Sequence, residues 1–223
     1  MSVWALLMAA GTGERLGEER PKAFVRLGEL PLLAEPLRRL DESPWIDAIV
    51  VAVPAGWEEP AILLAEELSA TKAVASVTGG ATRAESVRAA LAEVPEDVLV
   101  VLVHDAARPL VTDEVIERVV APLADGWDGV VPALPLVDTI KTVAGDAITG
   151  TKAREPLVAA QTPQAFSGPT LRAAYDGAGD LGGATDCASL VESSGGKVRW
   201  VEGDPRLLKV TTAADLRLVS TWL

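Results

Sequence analysis

Flexible backbone and positive charge coincide in the stretch MAAGTGERLGEERPKAF, where Gly11 and Gly13 precede Arg15, Arg20 and Lys22. Small residues let a ligand approach the main chain, and glycines allow turns that aim several N–H groups at phosphate oxygens. The loop is therefore suited to an anion. It lacks the Gly-Lys-Ser/Thr ending of a P-loop, and its glycines at 11, 13 and 17 miss the dinucleotide-binding spacing by one residue. A triphosphate held by loop amides together with Arg15 and Lys22 fits better than a nicotinamide cofactor. An isolated loop cation is ordinarily a solvated surface charge; the glycines around these two argue for more.

A carboxylate follows in VLVVLVHDAARP, which reads as a strand over 98–103 with Asp105 just past its carboxyl end. An aspartate there suits a magnesium ion bridging nucleotide phosphates, since magnesium takes one or two carboxylates plus phosphate oxygens. The alternative is that Asp105 caps a turn or pairs with Arg108. His104, the single histidine, reads as a packed strand-end residue, because the sequence assigns it no acidic partner. In GGATRAESV, Gly79 and Gly80 ahead of Ser86 fit a second ligand loop or a plain strand-to-helix turn. Thr139, Arg154, QTPQAF and Lys209 ahead of Thr212 are further candidates that no local pattern singles out.

Such residues need a frame that gathers distant strand ends. Apolar runs recur as VWALLM, AIVVAV at 48–53, AVASV at 73–77, the run at 98–103 and GVVPAL at 129–134. Between them PLLAEPLRRL, EEPAILLAEELS, TRAESVRAALAEV and TDEVIERVVAPLA carry apolar residues at helical spacing. Thr82 with Glu85 makes a capping box, and Thr112 with Asp113 and Glu114 opens the next helix. Continuous apolar strands alternating with amphipathic helices predict an α/β protein with a mostly parallel sheet covered on both faces. In an open sheet of this kind ligands sit beyond the carboxyl ends of the strands. One stretch departs: VDTIKTVAGDAITGTK alternates around Gly145-Asp146 and predicts a β-hairpin, marginal alone and therefore packed on something, with a second subunit the economical choice.

The chain of 223 residues is long enough for one sizeable core, and no linker-like stretch divides it, so a single domain over 1–223 is expected. A formal net charge of −12 argues against nucleic acid as partner, and no apolar run approaches a membrane span. One histidine and one cysteine exclude a zinc cluster or an iron–sulfur site. The lone Cys187 has no disulfide partner and the first residues lack secretory character, so the cytoplasm is the expected compartment.

Taken together, AAGTGERLG with PK, GGATRAESV, LVHDAARP, VDTIK, AREPLVAAQTPQAF, ATD and VEGDPRLLKVTTAADL span nearly the whole chain. They closely resemble the 2-C-methyl-D-erythritol 4-phosphate cytidylyltransferases of the non-mevalonate isoprenoid pathway. VHDAARP joined to DTIK and QTPQ is specific to that family and its nearest relatives, whereas the glycine loop is common among nucleotidyltransferases. The resemblance implies a three-layer, Rossmann-like nucleotidyltransferase fold with a protruding β-hairpin arm at about 136–154. It implies transfer of CMP from CTP to the alcohol phosphate with release of pyrophosphate, using Mg2+ or another divalent cation. The nucleophile is then a phosphate oxygen, largely deprotonated at neutral pH because its second pKa is about 6, and no general base is required. Catalysis reduces to alignment and charge stabilisation.

By the same resemblance Arg15 and Lys22 stabilise charge on the α-phosphate and the departing pyrophosphate. Ala9, Ala10, Gly11, Thr12 and Gly13 would wrap the triphosphate, and Gly80, Ser86 and the backbone near Ala106 would read cytosine. Asp105 would face substrate and metal. Arg154 and Lys209 would position the methylerythritol phosphate, with Arg108, Thr139, Thr162 and Thr211 nearby. The family's arm exchanges between two subunits, so Thr139 and Arg154 would serve the partner's site in a homodimer. Departures from the family pattern are Met8 and Ala23 for a common Pro and Gln, Cys187 for a common Glu, and Leu207-Leu208 for Asn-Ile. Cys187 reads as a buried helix thiol. Two rivals stand beside this reading: a sister enzyme acting on another alcohol phosphate such as ribitol 5-phosphate, and a non-catalytic nucleotide-binding protein. The second should have shed its transition-state cations first, yet Arg15, Lys22, Arg154 and Lys209 are all present.

Overall fold

The computed structural model describes residues 2–11, 13, 20–181 and 183–223. The chain runs through β1 (Val3–Met8), a small ribbon of β2 (Arg26–Leu27) and β3 (Leu30–Pro31), α1 (Ala34–Glu42), β4 (Ala48–Val53), α2 (Glu58–Glu67), β5 (Ala73–Thr78), α3 (Arg83–Leu91), β6 (Val100–Asp105) and α4 (Asp113–Val120). It continues with β7 (Gly129–Pro135), the hairpin strands β8 (Ile140–Ala144) and β9 (Ala147–Lys152), β10 (Val158–Ala160), β11 (Gln164–Ser167), α5 (Gly168–Gly177), α6 (Cys187–Ser193), β12 (Val198–Glu202) and α7 (Ala213–Ser220).

Successive side chains on a strand point to opposite faces, and the buried strands use both. On β1, Ala5 and Leu7 join a core with Leu37 and Leu40 of α1, Leu64 of α2 and Val115 of α4. Leu6 and Met8 join the opposite core, with Val87 of α3, Leu171 of α5 and Val191 of α6. The sheet is therefore the middle of three layers. Each fully buried leucine contributes about 2 kcal/mol of apolar burial, which is why runs such as AIVVAV, buried throughout, tolerate no polar residue.

Sheet order is β5-β4-β1-β6-β11-β7-β10, with β12 on the other side of β7. β1 is parallel to β4 and β6, β4 to β5, and β12 to β7, while β10 and β11 run antiparallel to their neighbours. From β1 the chain moves outward to β4 and β5, then returns to place β6 on the opposite flank of β1. That reversal is a topological switch point, where the loops leaving two neighbouring strands part and leave a crevice. The register sets Met8 beside Asp105 at its rim. Asp105 is the last residue of β6, not a residue beyond it. The strand lies two positions later than the apolar run suggests, because the Val98 N–H turns back to Pro95 O at 3.1 Å while His104 and Asp105 pair with β1.

The predicted hairpin is present as a separate two-stranded sheet of β8 and β9, turning at Gly145 with φ +57°. Its apolar residues have little cover: Val143 and Ile148 are each 65 % exposed and Val137 is 80 % exposed. Thr112 heads α4 without a side-chain capping bond, whereas Thr82 and Thr212 cap α3 and α7 with full capping boxes. Among the described residues no helix is long and apolar enough to cross a membrane.

Candidate active site

Close packing of loops builds the crevice. At Gly13, with φ +75°, a Cβ would lie 2.7 Å from the Lys22 Cβ, so glycine lets the loop after β1 fold against the residue that follows it. At Gly79 a Cβ would meet the Ala10 Cβ at 2.4 Å, which brings the loop after β5 against the loop after β1. The predicted capping box then fixes where α3 starts: Thr82 Oγ1 accepts from Glu85 N at 3.1 Å and the Glu85 carboxylate accepts from Thr82 N at 2.9 Å. Buried Ser86 braces the same turn, accepting from Gly80 N at 3.1 Å and donating to Thr82 O at 2.9 Å.

The result is a cleft of about 310 Å³. Ala9, Ala10, Gly11 and Lys22 line it from the first loop, Gly80 and Ser86 from the second, Asp105 and Ala106 from the end of β6, and Lys209 from the segment before α7. Among the described residues the lining carries three cations, Lys22, Arg83 and Lys209, and one carboxylate, Asp105, in a chain whose formal net charge is −12. A concave lining with a surplus of positive charge within a negatively charged molecule concentrates anions locally.

Asp105 is the centre of the polar network. Arg83 Nε lies 3.0 Å from Oδ1 and Lys209 Nζ 2.7 Å from Oδ2. The sequence left open a pairing of Asp105 with Arg108; these are the pairs instead. Burial alone would push the Asp105 carboxyl up, but the charges of Arg83 and then Lys209 outweigh it and hold the group well below the usual carboxylate range. Burial pulls in the opposite sense on Arg83, and Asp105 outweighs it there too, so the guanidinium stays charged. Lys209 is brought to Asp105 by its neighbour Val210, whose N–H donates to Ala107 O at 2.8 Å.

Behind Asp105 a second set of bonds fixes the backbone. Thr162 Oγ1 accepts from the Asp105 N–H at 3.0 Å and is 3.2 Å from His104 Nδ1, while His104 Nε2 donates to Arg108 O at 2.9 Å. His104 is fully buried, and burial pushes its pKa down to about 4, so it is the neutral packed residue its sequence context suggests. Thr162 thus supports the site from beneath. Arg108 points elsewhere, its Nη1 donating to Leu207 O at 2.6 Å. The Thr211 hydroxyl donates to Asp215 at 2.8 Å, at the start of α7. Thr139 and Arg154 are exposed residues of the arm region, outside the cleft lining, with Arg154 donating to the Val137 carbonyl. Thr12 and Arg15 lie outside the described residues. Arg83 went unread in the sequence: TRAESV looks like a solvated helix start, and only the fold sets position 83 against position 105.

The donor set bears on a metal. Among the described residues there is no group of three or more His, Cys, Asp or Glu that could hold one. A single carboxylate facing an anion cleft fits an ion that arrives with phosphates and takes most of its ligands from them.

A crevice at the switch point, with a glycine loop and cations at its rim, defines a nucleotide-binding protein of the doubly wound α/β class. The model of the family described as 2-C-methyl-D-erythritol 4-phosphate cytidylyltransferase (IspD) matches residues 3–223. The chain belongs to that family of nucleotidyltransferases. It is 49 % identical over 223 residues to the 2-C-methyl-D-erythritol 4-phosphate cytidylyltransferase of Nocardia farcinica, covering all of this chain and 94 % of the relative. It is also 49 % identical over 228 residues to that of Saccharopolyspora erythraea, covering both chains fully. Among solved structures it resembles the Thermus thermophilus cytidylyltransferase with a TM-score of 0.80 at 33 % identity, over 97 % of this chain and 96 % of that one. The Francisella tularensis cytidylyltransferase gives a TM-score of 0.86 at 28 % identity, over the full length of both.

Proposed function

We infer that this chain transfers CMP from CTP to 2-C-methyl-D-erythritol 4-phosphate, giving 4-diphosphocytidyl-2-C-methyl-D-erythritol and pyrophosphate, in isoprenoid precursor biosynthesis. Alongside family membership, the reading is carried by the cleft at the switch point, lined by Lys22 and by Asp105 with its partners Arg83 and Lys209. A phosphate oxygen of the alcohol phosphate attacks the α-phosphorus of CTP, a P–O bond forms there, and the bond to the β-phosphate oxygen breaks to release pyrophosphate. No proton need be removed from a nucleophile that is already ionised, which agrees with a cleft whose described lining includes no histidine. What the residues supply is placement and positive charge for an in-line displacement.

In this reading Ala9 to Gly13 hold the triphosphate, and Lys22 with Arg15 stabilises charge growing on the α-phosphate and the leaving group. Gly80, Ser86 and the backbone at Ala106 shape the base pocket. Lys209 and Asp105 face the alcohol-phosphate half, with Thr162 bracing Asp105 from beneath and Thr211 and Arg108 flanking the segment that carries Lys209. Mg2+, when bound, neutralises triphosphate charge, and Asp105 is the residue that would hold it from the protein side. Thr139 and Arg154 complete the site of a second subunit, so the working unit is a homodimer joined through the arm. Each subunit acts as one nucleotidyltransferase domain in the cytoplasm.

The test is pyrophosphate release by the purified protein across four nucleoside triphosphates and a panel of alcohol phosphates, with and without Mg2+. Release is expected only with CTP, methylerythritol phosphate and the metal. Release with CTP and ribitol 5-phosphate instead would keep the chemistry and overturn the substrate. Silence with every pair would leave only nucleotide binding.

A further inference from the structure

The two cations on Asp105 differ in how firmly they are held. Arg83 is the first residue of α3, with 26 % of its side chain exposed; its Nε is on Asp105 and its Nη1 donates to Cys187 Sγ at 3.6 Å. That sulfur belongs to the first residue of α6 and is itself 3.3 Å from Tyr175 Oη of α5. Lys209 lies in an irregular segment, has 40 % of its side chain exposed, and reaches Asp105 through a single ammonium at the end of a flexible stem. A guanidinium suits a fixed, planar pairing, whereas an ammonium is a mobile point charge able to follow a phosphate.

Asp105 is only 6 % exposed. If Lys209 were its sole counterion, moving Lys209 onto a substrate would strand a buried carboxylate, which is strongly unfavourable. With Arg83 on Oδ1, that penalty is avoided. We propose that Arg83 is a positioning residue for the alcohol-phosphate half of the site: it holds the Asp105 carboxylate in a fixed orientation through Oδ1, so that Lys209 exchanges Oδ2 for the incoming phosphate and Oδ2 is left facing the cleft, open to a hydroxyl of the polyol or to the cation that arrives with the triphosphate. Arg83 acts through Asp105 and not on the nucleotide. Cys187 and Tyr175 serve as the backstop that fixes the guanidinium. The inference rests on the cytidylyltransferase reading above.

Steady-state kinetics on the full-length protein test it, with CTP and methylerythritol phosphate varied separately for the wild type, Arg83→Gln, Arg83→Lys, Asp105→Asn and the double variant Arg83→Gln/Asp105→Asn. Arg83→Gln is expected to raise KM for the alcohol phosphate about tenfold while KM for CTP stays within about twofold. Arg83→Lys should recover most of the loss. In the Asp105→Asn background, Arg83→Gln should add no more than about twofold, the signature of two residues acting as one unit. Equal rises in both KM values, no rescue by lysine, or effects that simply multiply in the double variant would each overturn the proposal. Should Arg83→Gln fail to fold, judged by its thermal transition, Cys187→Ala removes the backstop without altering the cleft lining. It is expected to give the same selective rise at about two- to fivefold, and an unchanged KM for the alcohol phosphate would overturn the idea equally. An inactive wild type would instead sink the functional reading itself, whereas an active wild type with a multiplying cycle sinks only this inference.

Discussion

At the cleft, Asp105 is 6 % exposed and each carboxylate oxygen has a cation within 3.0 Å; on the arm, Val143 and Ile148 stand 65 % exposed on a two-stranded sheet of their own. The first region is nearly finished within one chain, since its buried charge is paired and its loops lock against one another. The second is unfinished, because a lone hairpin with an apolar face is marginal without something packed on it. A single chain thus carries a preorganised cleft and an appendage with little cover of its own. Under the proposed dimer the contrast separates two kinds of sensitivity: the cleft would respond to charge and pH, the arm to concentration.

The sharpest way to break this comparison is Lys22→Ala. Alanine keeps the Cβ that packs against Gly13, so the thermal transition should stay put while turnover falls by about 10²- to 10³-fold, the scale for losing one preorganised charge donor. Near-normal turnover would remove Lys22 from the chemistry. Next in size is the arm. Deleting 138–153, or replacing Val143 and Ile148 together by Asp, should convert a dimer to a monomer in sedimentation velocity and lower activity with it. A fully active monomer would show that the cleft needs no neighbour.

A third prediction concerns acid. His104 is buried neutral, with burial lowering its pKa from 6.5 to about 4. In that window the unfolded chain takes up a proton that the folded chain refuses, so stability is intact above about pH 6.5 and declines by on the order of 3 kcal/mol as pH falls to about 4. Denaturant unfolding across this range should show that slope for the wild type and a shallower one for His104→Gln. The smallest effect belongs to the arm's turn: Gly145→Ala, at φ +57° but with open space around a Cβ, should cost about 1 kcal/mol or less. A change in turnover from that variant at saturating protein concentration would contradict the separation of arm from cleft.

Legibility of the fold followed burial. VWALLM and AIVVAV are strands over the very residues read, 3–8 and 48–53, because strands buried on both faces are written as unbroken apolar runs. The last strand-end residues were misjudged for the same reason: His104 and Asp105 are polar, yet they hydrogen-bond into the ladder with β1. Strands β10, β11 and β12 carried no clear signal, being three to five residues long and, in β10 and β12, largely exposed. At the site, Lys22, Asp105, Gly80 and Ser86 were legible in local pattern and Lys209 only through the family resemblance, and the fold gathers all five at one cleft. Arg83 was not. Its role comes from contacts with positions 105 and 187, and no local pattern encodes a partner that far along the chain.

The placement of Arg154 and Thr139 outside their own chain's cleft has a genetic corollary under the proposed dimer. A subunit disabled at Lys22 and a subunit disabled at Arg154 damage the same site when both lesions meet there, but in a mixed dimer the two lesions can fall on one site and leave the other whole. Two inactive alleles would then complement each other, with up to half of the sites in each mixed pair restored.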